Sequence, residues 1–259
     1  MRLRKGYRVP CHLLVPKGAA KPPVIICVQG HSPGMHISLN RPKNEQEKNF
    51  ILTDDGDYAI RAVKEGFAAV TLEQRNFGEM GGTYCMPEAM TNLLMGRTTI
   101  GERVWDICRL IDVIESEFGS IVDVNCISLL GHSGGGTATA YTAALEDRLV
   151  LALSSCAMAS FRDSIGAIEH CPCNYVPGIA NVFDMGDLMA MACPKYFVQV
   201  SGVNDDIFPV SAAKRVFEEG ALAYGSMGLS GKCRLYLGEG GHRFYADGAW
   251  NIIHELLKK

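Results

Sequence analysis

Apolar positions follow two alternating rhythms along the chain. Short continuous runs rich in branched residues stand at 24–28 (VIICV), 67–72 (FAAVTL), 126–130 (CISLL), 149–155 (LVLALSS), 196–201 (YFVQVS) and 233–237 (CRLYL). Runs of this length with no polar alternation predict strands buried on both faces. Between them lie amphipathic stretches, the clearest carrying Ile100, Val104, Ile107, Ile111, Ile114 and Phe118 at spacings of four and three, which is one face of a helix. Trp250, Ile253 and Leu257 predict a last helix packed on the sheet. Alternation of strand and helix throughout argues for a mostly parallel sheet with helices on both faces. An early extended piece, CHLLVP, is expected to take part in an antiparallel edge pairing. Two connections are long. Residues 31–55, which include RPKNEQEKN, read as a solvated, mobile loop. Residues 156–193 contain FRDSIGAIEHCPCNYVPGI and a short helical stretch, NVFDMGDLMAMA, and read as a small lid, too short for a large cap domain.

Composition narrows the field. With 47% hydrophobic and 20% charged residues in 259, the chain can bury a sizeable core, and no repeat or Pro/Gly/Ser linker divides it, so one domain over 1–259 is expected. The balance of 25 Lys plus Arg against 28 Asp plus Glu supplies no field for gathering phosphates, so nucleic acid is not an expected partner. No run approaches the roughly 20 apolar residues that cross a bilayer, and MRLRKGYRVP is followed by no apolar stretch of signal length. A cytoplasmic protein without membrane contact is the expectation, and a homo-oligomer is compatible with it. Ten scattered cysteines read as reduced, mostly buried thiols. Cys171 and Cys173 are separated by one residue, and the sequence shows no second pair to complete a four-ligand zinc site, so neither metal nor cofactor is expected.

The chemistry concentrates at Gly131-His132-Ser133-Gly134-Gly135, a G-x-S-x-G run between the strand CISLL and the helix-like TATAYTAAL. A serine at such a sharp strand-to-helix turn projects its hydroxyl above the sheet, and flanking glycines let other backbone approach. The amide of Gly134 and the positive end of the following helix face any oxyanion formed beside Ser133. The run lacks both the Lys-Ser/Thr ending of a P-loop and the G-x-G-x-x-G spacing. Serine needs a base, and the base needs an orienting acid. Candidates follow later strands: Asp205 or Asp206 after YFVQVS, and His242 after CRLYL. The chain order serine, acid, histidine at carboxyl ends of strands suits a nucleophilic hydrolase. The aspartate not used would stabilise the turn before Pro209.

Over nearly its whole length the chain resembles α/β-hydrolases of the dienelactone-hydrolase and acetyl-xylan-esterase-like branch, through VIICVQGH, EQRNFGE, VWDICRLID, GHSGGG, HCPCNYVPG, GVNDDIFP and GEGGHRF. The resemblance implies an α/β-hydrolase fold with Ser133, Asp205 and His242 as the triad. It places the acid three residues beyond Gly202 and four before Pro209. It also implies that His31 supplies the second oxyanion amide. Where many relatives have His-Gly at that turn, this chain has Gln29-Gly30-His31, so the His31 ring can also line the pocket. The implied activity is cleavage of a carboxylic ester, a small acyl ester such as an acetylated carbohydrate, through an acyl-enzyme. Lactone or thioester hydrolysis and peptide cleavage are the alternatives within enzymes. A non-catalytic relative that binds ligand or assembles with other proteins is the alternative outside them. Arg75, His170 and Tyr175 are weaker candidates for substrate contact, Arg75 having a loop-holding salt bridge as its competing reading and the other two packing within the lid. Asp106 reads as a structural partner, and His12, His36 and His254 as surface or structural groups. Met185, Met189 and Met191 read as core or pocket lining.

Overall fold

The computed structural model describes residues 2–4, 7–81 and 85–258. Strands β1 (Arg2–Arg4) and β2 (Tyr7–Arg8) pair antiparallel as a two-stranded ribbon. The main sheet holds β3 (Cys11–Leu14), β4 (Pro23–Val28), β5 (Ala68–Leu72), β6 (Asp123–His132), β7 (Leu149–Ser155), β8 (Tyr196–Gly202) and β9 (Cys233–Gly238) in the order β3-β5-β4-β6-β7-β8-β9. Every pairing in it is parallel except β3 with β5. CHLLVP is therefore itself the antiparallel edge strand. This is the α/β-hydrolase fold expected from the sequence.

The helices are α1 (Glu45–Asp54), α2 (Tyr58–Lys64), α3 (Met86–Leu94), α4 (Thr99–Phe118), α5 (Gly134–Leu145), α6 (Met185–Ala192), α7 (Val210–Ser226) and α8 (Ala246–Leu257). The two-residue period of the strands sorts them onto the two faces. Val24, Ile26 and Val28 of β4 pack with Ile107, Ile111 and Ala138 from α4 and α5, whereas Ile25 and Cys27 pack with Tyr58, Trp250 and Ile253 from α2 and α8. Because both faces are covered, the strands carry no polar alternation. Helix α4 begins where the Thr98 side chain accepts from the Gly101 amide at 3.2 Å and runs for 20 residues on the apolar stripe read from the sequence.

The segment 31–55 corrects an expectation. It is not a solvated loop: Met35, Ile37 and Leu39 are buried, and its charged half forms α1, capped by Asn44, whose side chain accepts from the Glu47 amide at 2.9 Å. The charged turn EQEK masked the helix because it carries almost no apolar stripe, and capping with local ion pairs supplies the helix signal instead. In the segment 156–193, 3-10 turns at Pro172–Asn174 and Ile179–Asn181 precede α6. The first of these packs against α3 and α4. Met185 and Met189 are buried, but Met191 lies on the exposed side of α6, so its reading as core or lining is also corrected. Among the described residues no helix is long and apolar enough to cross a membrane.

Candidate active site

The carboxyl ends of β4, β6, β8 and β9 open on one rim of the sheet, where ligands of parallel sheets bind. Ser133 stands there between β6 and α5 with φ 54° and ψ −123°, a conformation L-residues rarely adopt. Its amide donates to Ser155 O at 2.8 Å, and its carbonyl accepts from the Thr137 amide at 2.9 Å, so the strained residue is pinned from the neighbouring strand and from the helix. Two glycines make the turn possible by close approach. A Cβ on Gly30 would lie 2.7 Å from Ser133 Cβ and 3.4 Å from Gly134 N, and one on Gly135 would collide with the Val28 carbonyl. The loop after β4 is thereby pressed against the serine, which brings residues 30 and 31 beside Gly134.

After β8, Asp205 is buried, with its side chain wholly covered. Its Oδ2 accepts from His242 Nδ1 at 2.8 Å, and its Oδ1 accepts from the amides of Ile207 at 2.9 Å and Phe208 at 3.0 Å. Burial pushes this carboxyl up, but the His242 hydrogen bond and charge, with those two amides, bring it net below its ordinary value. Asp206 is exposed. The bonding to the turn before Pro209 belongs to Asp205 itself, so one side chain both holds the ring and braces the loop.

The His242 ring stacks on Phe208, with centroids 5.9 Å apart and planes 16° apart, and lies 4.9 Å from the ring of His132. With Nδ1 donating to Asp205, Nε2 is the nitrogen left to act on a proton. No hydrogen bond joins it to the Ser133 hydroxyl among the described residues in this conformation. His132 is buried, with Nδ1 3.1 Å from Ser155 Oγ. Burial, and then the nearby His242 charge, hold its pKa well below the usual imidazole value, so it stays neutral and adds no charge beside the pair. Cys156 packs against the Asp205–His242 couple, and burial pushes its thiol up to about 12, which leaves it protonated.

The weaker candidates separate. Arg75 engages its guanidinium with both oxygens of Asp106, at 2.6 and 2.7 Å, and with Glu102 at 2.9 Å. Tyr175 donates its hydroxyl to Ile165 O at 2.6 Å and lines an apolar cavity of about 400 Å³ with Phe161, Ile165, Val176 and Ile179. That cavity contains none of Ser133, Asp205 and His242. His170 lies nearer the rim, its ring centroid 6.1 Å from that of Phe208, and burial lowers its pKa. His36 and His254 pair with Glu47 and Glu65 at 3.0 and 2.7 Å.

Sequence reasoning did not single out Glu73, Arg103 or Cys85. Glu73 is buried; its Oε1 accepts from Gln29 Nε2 at 2.9 Å and from the Met35 amide at 3.1 Å, and Gln74 Nε2 donates to Gln29 O. This polar clamp holds both ends of the turn that carries His31. Its only signal in the sequence was two consecutive polar residues, Glu73 and Gln74, directly after an apolar strand. Arg103, on the covered face of α4, donates from Nη2 to Arg75 O at 3.0 Å and to Cys85 Sγ at 3.2 Å. The His31 ring packs edge-on against Phe77, with centroids 5.0 Å apart, and its Nε2 lies 3.3 Å from Cys173 Sγ.

No family model matches the chain. It is 22% identical to the Bacillus subtilis protein named putative hydrolase YtaP, over 91% of this chain and 78% of that one. Among solved structures it superposes on a glucuronoyl esterase of carbohydrate esterase family 15 from Caldicellulosiruptor kristjansonii with a TM-score of 0.69 at 16% identity, covering 96% of this chain and 72% of the other. A putative acetyl xylan esterase from Bacteroides fragilis superposes with a TM-score of 0.71 at 17% identity, covering 88% of this chain and 62% of the other. These likenesses place the fold among α/β-hydrolases.

Proposed function

We propose that this chain is a serine hydrolase that cleaves a carboxylic ester, a small acyl ester such as an acetylated carbohydrate. The observation that carries the reading is the Asp205–His242 hydrogen bond on the same rim as a serine held in the strained strand-to-helix turn. Ser133 Oγ attacks the ester carbonyl while His242 Nε2 takes its proton. Asp205 keeps the other ring nitrogen protonated and stabilises the imidazolium. The amides of His31 and Gly134 receive the oxyanion, and the alcohol leaves with the proton held on His242. Water, deprotonated by the same ring, then releases the acyl group. Catalytic hydrogen bonds commonly tighten only once substrate is bound, and the bond from the Ser133 hydroxyl to His242 Nε2 is expected to form with the ester in place. The likeness in fold to esterases supports a carboxylic ester as the substrate.

Labelling with a fluorophosphonate probe and turnover of p-nitrophenyl acetate test the proposal. Wild-type protein should be labelled at Ser133, and Ser133→Ala should lose both labelling and turnover, kcat falling on the order of a million-fold by comparison with other triads. An unlabelled wild type, or pure variant with unchanged turnover, would reject it in favour of a ligand-binding relative.

A further inference from the structure

Beside the proposed catalytic rim, three separate segments converge on one point. His31 comes from the turn after β4, Cys85 from the start of α3, and Cys171 and Cys173 from the 3-10 turn at Pro172–Asn174. Their four ligand atoms, one imidazole nitrogen and three sulfurs, all lie within 4.8 Å of one another. Tetrahedral zinc, with Zn–S near roughly 2.3 Å and Zn–N near roughly 2.0 Å, holds its ligand atoms about 3.5 to 3.8 Å apart, a spacing that lies inside that limit. The surroundings also fit. Phe77, Ala89, Cys85 and Cys173 form a small buried apolar cluster. The guanidinium of Arg103, 1% exposed, points into it, with Nη2 on Cys85 Sγ at 3.2 Å, Nε and Nη1 without partners, and no carboxylate paired to it among the described residues. Asn76 Nδ2 adds a longer contact to Cys85 Sγ at 3.7 Å.

We infer that His31, Cys85, Cys171 and Cys173 form a structural zinc site. Coordination takes the protons from the thiols and releases them to solvent; three thiolates and one divalent ion leave a single negative charge, which the buried Arg103 neutralises. Thiolate and imidazole ligands in a tetrahedral set select zinc over harder ions such as magnesium or calcium. Four protein ligands leave no open position, so the ion crosslinks rather than reacts. It joins the turn carrying His31 to α3 and to the segment after β7. N–H donors from Arg103 and Asn76 orient the Cys85 sulfur as outer partners of metal thiolates do.

The test uses the full chain, purified under reducing conditions and loaded with Zn²⁺ or Co²⁺ alone. The inference expects about one zinc per chain by elemental analysis, and X-ray absorption with three sulfurs and one nitrogen around the ion. The cobalt form should show thiolate-to-metal charge transfer in the near ultraviolet and tetrahedral bands in the visible. Cys85→Ser and Cys173→Ser should abolish the bound zinc, Cys11→Ser should keep it, and Arg103→Met should weaken zinc binding by about 10- to 100-fold. Should the cysteine variants fail to fold, the wild-type cobalt spectrum still decides. Reduced wild-type protein that takes up neither ion, or a cobalt spectrum without thiolate bands, would overturn the site. Ser133→Ala should retain full zinc while losing turnover, so failure of the metal site and failure of the esterase reading give different results.

Discussion

Asp205→Asn offers the sharpest perturbation of the proposed mechanism, because the structure separates its catalytic from its structural consequences. Oδ1 accepts the amides of Ile207 and Phe208, and an asparagine oxygen can keep both bonds. The change falls on the other atom: Oδ2 accepts from His242 Nδ1 at 2.8 Å, and an amide NH₂ there must donate instead. The ring would answer by moving its proton to Nε2, the nitrogen that has to receive the serine proton. Loss of the correct tautomer in a triad costs on the order of 10⁴ in kcat, about 5.5 kcal/mol of transition-state stabilisation. Asp206→Asn, on an exposed side chain, should change kcat by less than about twofold. The assay is steady-state hydrolysis of p-nitrophenyl acetate, with circular dichroism to confirm that both variants fold. A loss below about tenfold for Asp205→Asn, or an equal loss for Asp206→Asn, would refute the assignment.

Two further expectations concern stability. The folded pKa of His132 lies well below its unfolded value, so below roughly pH 6.5 the unfolded chain binds more protons; the stabilisation is present above that pH and is lost as pH falls, by up to about 1.4 kcal/mol per unit. Urea denaturation between about pH 7 and 5 should show this slope, and His132→Gln should flatten it; an unchanged slope would assign the acid sensitivity elsewhere. Gly135→Ala drives a Cβ into the Val28 carbonyl and should cost about 1 to 3 kcal/mol, lowering Tm by at least roughly 2 °C by calorimetry, and an unchanged Tm would mean that the turn can relax.

What could be read from residues alone follows from how local the controlling physics is. The six apolar runs became β4 to β9 because a strand buried on both faces writes its burial into consecutive residues. The Ile100 to Phe118 stripe became α4 for the same reason at a different period. Helix α1 escaped because capping by Asn44 and charge placement, rather than an apolar face, determine it. The partners of Cys171 and Cys173 were invisible for a different reason. His31 and Cys85 reach them through the parallel topology, which returns the ends of β4 and the segment after β7 to one rim, and no spacing rule along the chain encodes that return. Met191 was misread because α6 has one covered face, with Met185 and Met189 on it, and composition alone does not say where that face ends.

The conformation of Ser133 links sheet, glycines and chemistry. A non-glycine residue held at φ 54° costs on the order of 1 to 3 kcal/mol, so it persists only where its surroundings over-determine it. Here they do so from three directions. Strand β7 captures the Ser133 amide through Ser155 O; the first turn of α5 captures its carbonyl through the Thr137 amide; and the β4 loop, close only because Gly30 lacks a Cβ, closes the third side. Each constraint comes from a different element of the fold, a strand, a helix and a loop, and none of them is a bond to the hydroxyl. The two closest bonds to the serine are backbone ones, the Thr137 hydroxyl adding a longer bond to the same carbonyl at 3.4 Å, so the residue is fixed without using its hydroxyl. The same close approach that strains the serine brings the turn carrying His31 against the amide of Gly134, so relaxing the strain by opening the turn would also pull apart the two proposed oxyanion donors.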